Sequence, residues 1–116
     1  MENWANGLEQ VAITVTDDNG DFIDLNTHSK RVNLKSMDEN LIGRNIMGCH
    51  NAHSKAIINN MMQNKIPNIY TIEKKGQKKL IYQSPWYKED GSFGGLVEIS
   101  LVIPFEMPHY NRDKKN

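Results

Sequence analysis

The stretch Val11-Ala12-Ile13-Thr14-Val15-Thr16-Asp17-Asp18-Asn19-Gly20-Asp21-Phe22-Ile23-Asp24-Leu25 decides the fold. Its first six residues alternate large apolar with small or hydroxylated side chains, the period of two that marks a half-buried strand. Asp17-Asp18-Asn19-Gly20 then reverses the chain, because Asn-Gly accepts positive φ at low cost. Phe22-Ile23-Asp24-Leu25 reads as the returning strand. Working outward, the last half of the chain is also strand-like. Ile69-Tyr70-Thr71-Ile72-Glu73 is rich in β-formers, Lys74-Lys75-Gly76-Gln77 reads as a loop, and Lys79 to Ser84 as a strand ending near Pro85-Trp86-Tyr87. After the turn Lys88-Glu89-Asp90-Gly91, Gly95 to Ile103 forms the final strand, closed by Pro104. It carries Val97, Ile99, Leu101 and Ile103 on one face, with Glu98 and Ser100 on the other.

The middle is helical. Thr27 to Val32 reads as a short helix capped by Thr27, and Asp38 to Ile42 as a short turn ended by Gly43. Ser54 is placed to cap a longer helix, Lys55 to about Asn64, whose Ile57, Ile58, Met61 and Met62 share one stripe. Pro67 stops it. Residues 2–9 read as a short helix with Trp4 and Leu8 on one face. Two strands, a helical middle and three strands predict an α+β fold, a five-stranded antiparallel sheet with helices packed on one face.

At 116 residues the chain makes one domain, large enough to bury about two-thirds of its surface with no disulfide or metal staple. Lys+Arg 14 balances Asp+Glu 14, which argues against binding to a nucleic-acid backbone. Cys49 is the lone cysteine, so a disulfide scaffold is ruled out. No apolar run approaches a membrane span, and Met1-Glu2-Asn3-Trp4-Ala5-Asn6 lacks the features of a signal peptide. A cytoplasmic domain is the expectation.

This order of elements resembles the PAS domain, a small sensory module, over about residues 8–104, with 1–9 as a flanking helix and 105–116 as a tail. Several short words carry the resemblance: Asp18-Asn19-Gly20 after the opening strand, Asn26 after the second, Leu41-Ile42-Gly43-Arg44-Asn45 before the long helix, and Gly91-x-x-Gly94-Gly95 before the last strand. Cys49-His50-Asn51-Ala52-His53-Ser54 is similar to a Cys-His-x-x-x-Ser word of PAS-like domains that accompany bacterial signalling modules. In that word prolines usually follow the histidine, where this chain has Asn51 and Ala52.

Cys49, His50 and His53 form the densest group of potential ligands. A structural zinc site needs four ligands, and no second Cys/His pair occurs. Adjacent residues on an extended segment point apart, which disfavours a Cys-His nucleophilic dyad. In the family resemblance, some PAS sensors hold haem through a histidine on the long helix, which would give His50 or His53 the axial position. Met61, Met62, Tyr70, Tyr82 and Trp86 would then line the pocket. The plainer reading is that Ser54 caps the helix, Cys49 packs as a small apolar residue and His50 makes a structural hydrogen bond. Leu80, Tyr82, Ser84 and Trp86 alternate onto one strand face, which in a PAS fold would look into the cavity beneath the helices. The word around Cys49 does not match that of the light-sensing flavin subgroup, nor the cysteine contexts of bilin and coumarate binding.

The expected function is a PAS-type sensory or interaction domain in bacterial signal transduction, binding a small ligand or a signalling protein. Cys49, His50, His53, Met61, Tyr70, Tyr82 and Trp86 are its candidate binding residues. No nucleophile–base–acid set and no phosphate-cradling Gly-rich loop points to catalysis. The alternative is a haem-binding gas or redox sensor using His50 or His53. The resemblance also implies a homodimer, with Trp4 and Leu8 as its apolar handle.

Overall fold

A computed structural model describes residues 1–33, 42–45 and 52–113, and of Ala52, His53 and Ser54 the backbone alone. The elements run α1 (Asn3–Asn6), β1 (Val11–Thr16), β2 (Phe22–Leu25), α2 (Thr27–Asn33), α3 (Ala52–Asn64), β3 (Asn68–Lys74), β4 (Gln77–Tyr87) and β5 (Phe93–Ile103). The strands form one antiparallel sheet in the order β2-β1-β5-β4-β3. The expected α+β architecture is the observed one.

The hairpin that decided the fold closes on Asp17. Its carboxylate Oδ1 accepts from Asn19 N and Asp21 N at 2.9 Å each, and Gly20 takes φ 83°. The β3–β4 connection is tighter than the sequence suggests. Lys75 (φ 52°) and Gly76 (φ 75°) are its two central residues, both left-handed, so Lys74 and Gln77 already pair as strand. Positive φ at both central positions matches the right-handed twist of the flanking strands. Pro85 sits inside β4, yet β3 pairing ends at Asn68↔Gln83, so its missing N–H interrupts no ladder on that side.

Several helix limits differ from expectation. α1 ends at Asn6, with Gly7 N bonded back to Asn3 O, so Leu8 lies beyond it and does not share a helix face with Trp4. α2 is capped by Asn26 rather than Thr27: Asn26 Oδ1 accepts from Ser29 N at 2.9 Å. α3 starts at Ala52, which puts Ser54 inside the helix instead of at its cap. Its end is set by Lys65, left-handed at φ 56°, whose N–H reaches Met61 O, with Pro67 beyond. Gly43-Arg44-Asn45 pairs along the outer edge of β2 through Gly43 N to Phe22 O and Phe22 N to Arg44 O, each 2.8 Å. Gly43 holds φ 87° there, a conformation that favours glycine.

α2 and α3 lean on one face of the sheet. Ser29 of α2 meets Thr14 of β1, and Ile58 and Met61 of α3 pack on Leu96 of β5. Cross-strand partners share a face, so the register extends this helix-facing side through Ala12, Thr14, Ser100, Glu98, Leu96, Ile81, Gln83 and Pro85 to Asn68 and Tyr70. The reverse face carries Val11, Ile13, Val15, Val97, Ile99, Leu101, Leu80 and Tyr82, all half-buried. Leu80, Tyr82, Ser84 and Trp86, expected to face the helices, stand by register on the reverse face. Alternation groups side chains by face but does not say which face the helices cover.

Candidate functional site

One transverse row of the helix-facing side is polar across four strands: Thr14 on β1, Glu98 on β5, Gln83 on β4 and Asn68 on β3. Apolar residues flank it, with Leu96 and Pro85 on one side and Ala12 and Ile81 on the other. At its β1 end the row is closed by α2. There Thr14 Oγ1 and Ser29 Oγ lie 2.5 Å apart, and Asn33 Nδ2 donates to Ser29 Oγ at 3.1 Å. Toward β3 the amides form a chain, Asn68 Nδ2 donating to Gln83 Oε1 at 3.0 Å and Gln83 Nε2 to Glu98 Oε2 at 3.4 Å. Each donor points toward the carboxylate. Tyr70 flanks this end, and burial pushes its hydroxyl pKa up, with the Glu98 charge adding to the rise and a hydrogen bond to Gln83 opposing it.

His28 lies on α2 with its Nδ1 buried and, among the described residues, without a hydrogen-bond partner. Burial, then the charges of Lys79 and Arg31, lower its pKa below 6.5. A base whose folded pKa is lowered leaves stability intact above the unfolded value. As pH falls below 6.5 the unfolded chain takes up the proton first, so stability declines until the folded pKa is passed. Urea unfolding followed from pH 7.5 to about 5 should show this decline, and His28→Gln should flatten it. An unchanged slope in the variant would assign the decline to other groups.

The sequence-predicted residues separate. Met61, 2% exposed, and Tyr70 stand on the helix side of the sheet. Tyr82 stands on the reverse face. Trp86 follows the same alternation, and its Nε1 donates to Thr16 O at 2.9 Å while its ring lies against Gly94. Cys49 and His50 fall outside the described residues, and His53 is known only as backbone in the first turn of α3. These positions suit haem poorly. Haem requires a large apolar pocket, whereas two expected lining residues lie off the helix-facing side and a polar row crosses its centre. Among the described residues, no three His, Cys, Asp or Glu side chains gather as a metal site.

Gln83, Glu98 and Asn68 were missed by the sequence reading. Their signal is present but faint. Thr14, Gln83 and Glu98 each interrupt an apolar strand, and only the register aligns them.

No protein-family model matches the chain, and no curated protein does. Solved structures do. The PAS domain of histidine kinase ThkA superposes with a TM-score of 0.64 at 20% identity, covering 79% of this chain and 98% of that one. A sensory box sensor histidine kinase from Vibrio cholerae gives 0.64 at 13% identity, covering 82% and 83%. The Aer2 receptor from Vibrio cholerae, described as a dual PAS-heme oxygen sensor, gives 0.56 at 18% identity, covering 81% and 95%. Among the described residues no helix is long and apolar enough to cross a membrane. The arrangement of five antiparallel strands with helices on one face, shared with these structures, is the PAS fold, and this chain has it.

Proposed function

We propose that this chain is a PAS-type sensory module of bacterial signal transduction, without catalytic activity, that takes a small ligand between helices and sheet. The carrying observation is the unlike character of the two sheet faces. The helix-facing side holds a polar row among apolar neighbours, the mixture of many apolar walls and few placed polar groups that ligand clefts show. Met61 and Tyr70 line it together with Gln83 and Glu98. The known histidine-kinase and receptor structures of this fold support the sensory assignment. A cytoplasmic location follows from the same assignment.

The reverse face supports a homodimer. Val11, Ile13, Val15, Val97, Ile99, Leu101, Leu80 and Tyr82 form a continuous apolar patch across β1, β5 and β4. A patch of this kind on a sheet face marks an association surface. A second copy is the fitting occupant, because the patch itself carries no charge, with Asp24, Lys78 and Glu73 only at its rim, and offers the same strands to itself under two-fold symmetry. Trp4, 69% exposed at the N-terminal end, adds to that contact.

Native mass spectrometry of the purified chain tests both halves. The expected spectrum shows a species at twice 13.3 kDa carrying an additional small-molecule mass. Ile99→Glu, which places a charge at the centre of the patch, should return the monomer. A wild-type monomer would remove the dimer, and a bare chain mass in every state would remove the resident ligand.

A further inference from the structure

Resting on the cleft reading above, the geometry points to a small organic cation, an ammonium or amidinium group beside an apolar body, as the class of ligand that the Glu98 row takes. Glu98 is half-buried on the helix-facing side, and its one hydrogen bond among the described residues is the 3.4 Å contact from Gln83 Nε2. An ionised carboxylate accepts at about four lone-pair sites, so most of its capacity is unused. No ion pair to Glu98 occurs among the described residues. Lys79 shares the face but stands four positions along β4 from Gln83, about 13 Å of strand, outside ion-pair reach.

The row is also polarised. Asn68 donates to Gln83 and Gln83 donates to Glu98, so the amides orient toward the carboxylate and none presents a free charge to an anion. Removing a carboxylate partly from water without a counter-charge is unfavourable, and a ligand cation relieves that cost. Tyr70, on β3 next to the Asn68 end of the row, feels the Glu98 charge and brings an aromatic ring to that end, and a ring face attracts a cation. Leu96, Pro85 and Ile81 supply the apolar walls on either side of the row. Carboxylate, phenol ring and apolar flanks together match an amine or amidine on a hydrophobic body and repel a carboxylate ligand of the same shape.

Benzamidinium and benzoate, equal in size and opposite in charge, test this. Titrated into the full 15N-labelled chain, benzamidinium should shift the backbone amides of Gln83, Glu98 and Leu96, and benzoate should leave them in place. Glu98→Gln keeps the shape and removes the charge. It should weaken benzamidinium about tenfold or more, since a charge-assisted hydrogen bond is lost, and a dispersed spectrum confirms that the variant folds. Benzoate shifting those amides equally, or Glu98→Gln binding benzamidinium unchanged, would overturn the cation class and leave the cleft standing. No shift with either compound would overturn the cleft reading as well.

Discussion

Asn26→Ala is expected to lower stability by about 3–5 kcal/mol, a large share of the roughly 5–15 kcal/mol that holds a domain together. Asn26 is 0% exposed, and its side chain makes four hydrogen bonds. Nδ2 donates to Ala5 O and Val11 O at 2.8 Å each, and Oδ1 accepts from Ile13 N and Ser29 N at 2.9 Å each. One residue therefore ties α1, β1 and the first turn of α2 to each other. Alanine strands four backbone groups in a buried place, each costing about 1–3 kcal/mol less whatever water recovers. The melting temperature should fall by about 12–20 °C, which calorimetry or circular dichroism will read. Asn26→Asp separates this account from simple loss of a helix cap. The carboxylate keeps both acceptor bonds but sets an oxygen against the Ala5 and Val11 carbonyls, which favours its protonated form. Its folded pKa is then raised, so stability is present below about pH 3.9 and is lost as pH rises through the folded value. An Asp variant as stable at pH 7 as at pH 4 would show that the donor bonds matter little.

The same residue shows how far the sequence could be read. β1 and β2 run over the residues their alternation and the Asp-Asn-Gly turn indicate, because those signals are local. The stripe of α3 is equally local, and Ile58 and Met61 do reach the core. Asn26 and Thr27 are both good caps by chemistry, and only the carbonyls of α1 and β1, brought close by folding, favour the residue with two amide donors. The reversed face of β4 has a similar cause. Alternation puts Leu80, Tyr82, Ser84 and Trp86 on one side, and only the family resemblance turns that side toward the helices. The helices instead pack on Leu96 and Thr14, on the side that carries the polar row, and the more apolar side is the half-buried reverse face. A strand pattern cannot distinguish a surface buried by its own helices from one suited to a partner, since both exclude water in the same way. The polar row was hidden for that reason, whereas the α3 stripe that carries Met61 is a local signal.

Gly95→Ala should be at least as damaging, at more than about 4 kcal/mol, and should reduce soluble yield sharply. Gly95 adopts φ 147°, where L-residues are rarely found. A Cβ there would lie 2.1 Å from Thr16 O and 2.6 Å from the Asp17 carbonyl carbon and oxygen. These are backbone atoms at the end of β1, so relief requires β5 to move off β1, disturbing the bonds between Thr16 Oγ1 and the Leu96 backbone. Gly76→Ala is the matched comparison. Gly76 also holds a positive φ, 75°, but its Cβ would meet open space, so only the conformational cost of about 1–2 kcal/mol remains. If the two variants unfold at similar urea concentrations, steric approach of β5 to β1 is not what requires glycine at Gly95. The neighbouring Gly94 adds an optical readout of the same close packing. Its Cβ would enter the Trp86 ring at 2.3–2.6 Å, and a side chain yields where a backbone does not. Gly94→Ala should therefore swing the indole off Thr16 O while the sheet persists. The chain's other tryptophan, Trp4, is already solvent-facing, so the expected red shift in emission reports on Trp86. A folded Gly94→Ala protein with unshifted emission would mean that the strands, not the ring, had given way.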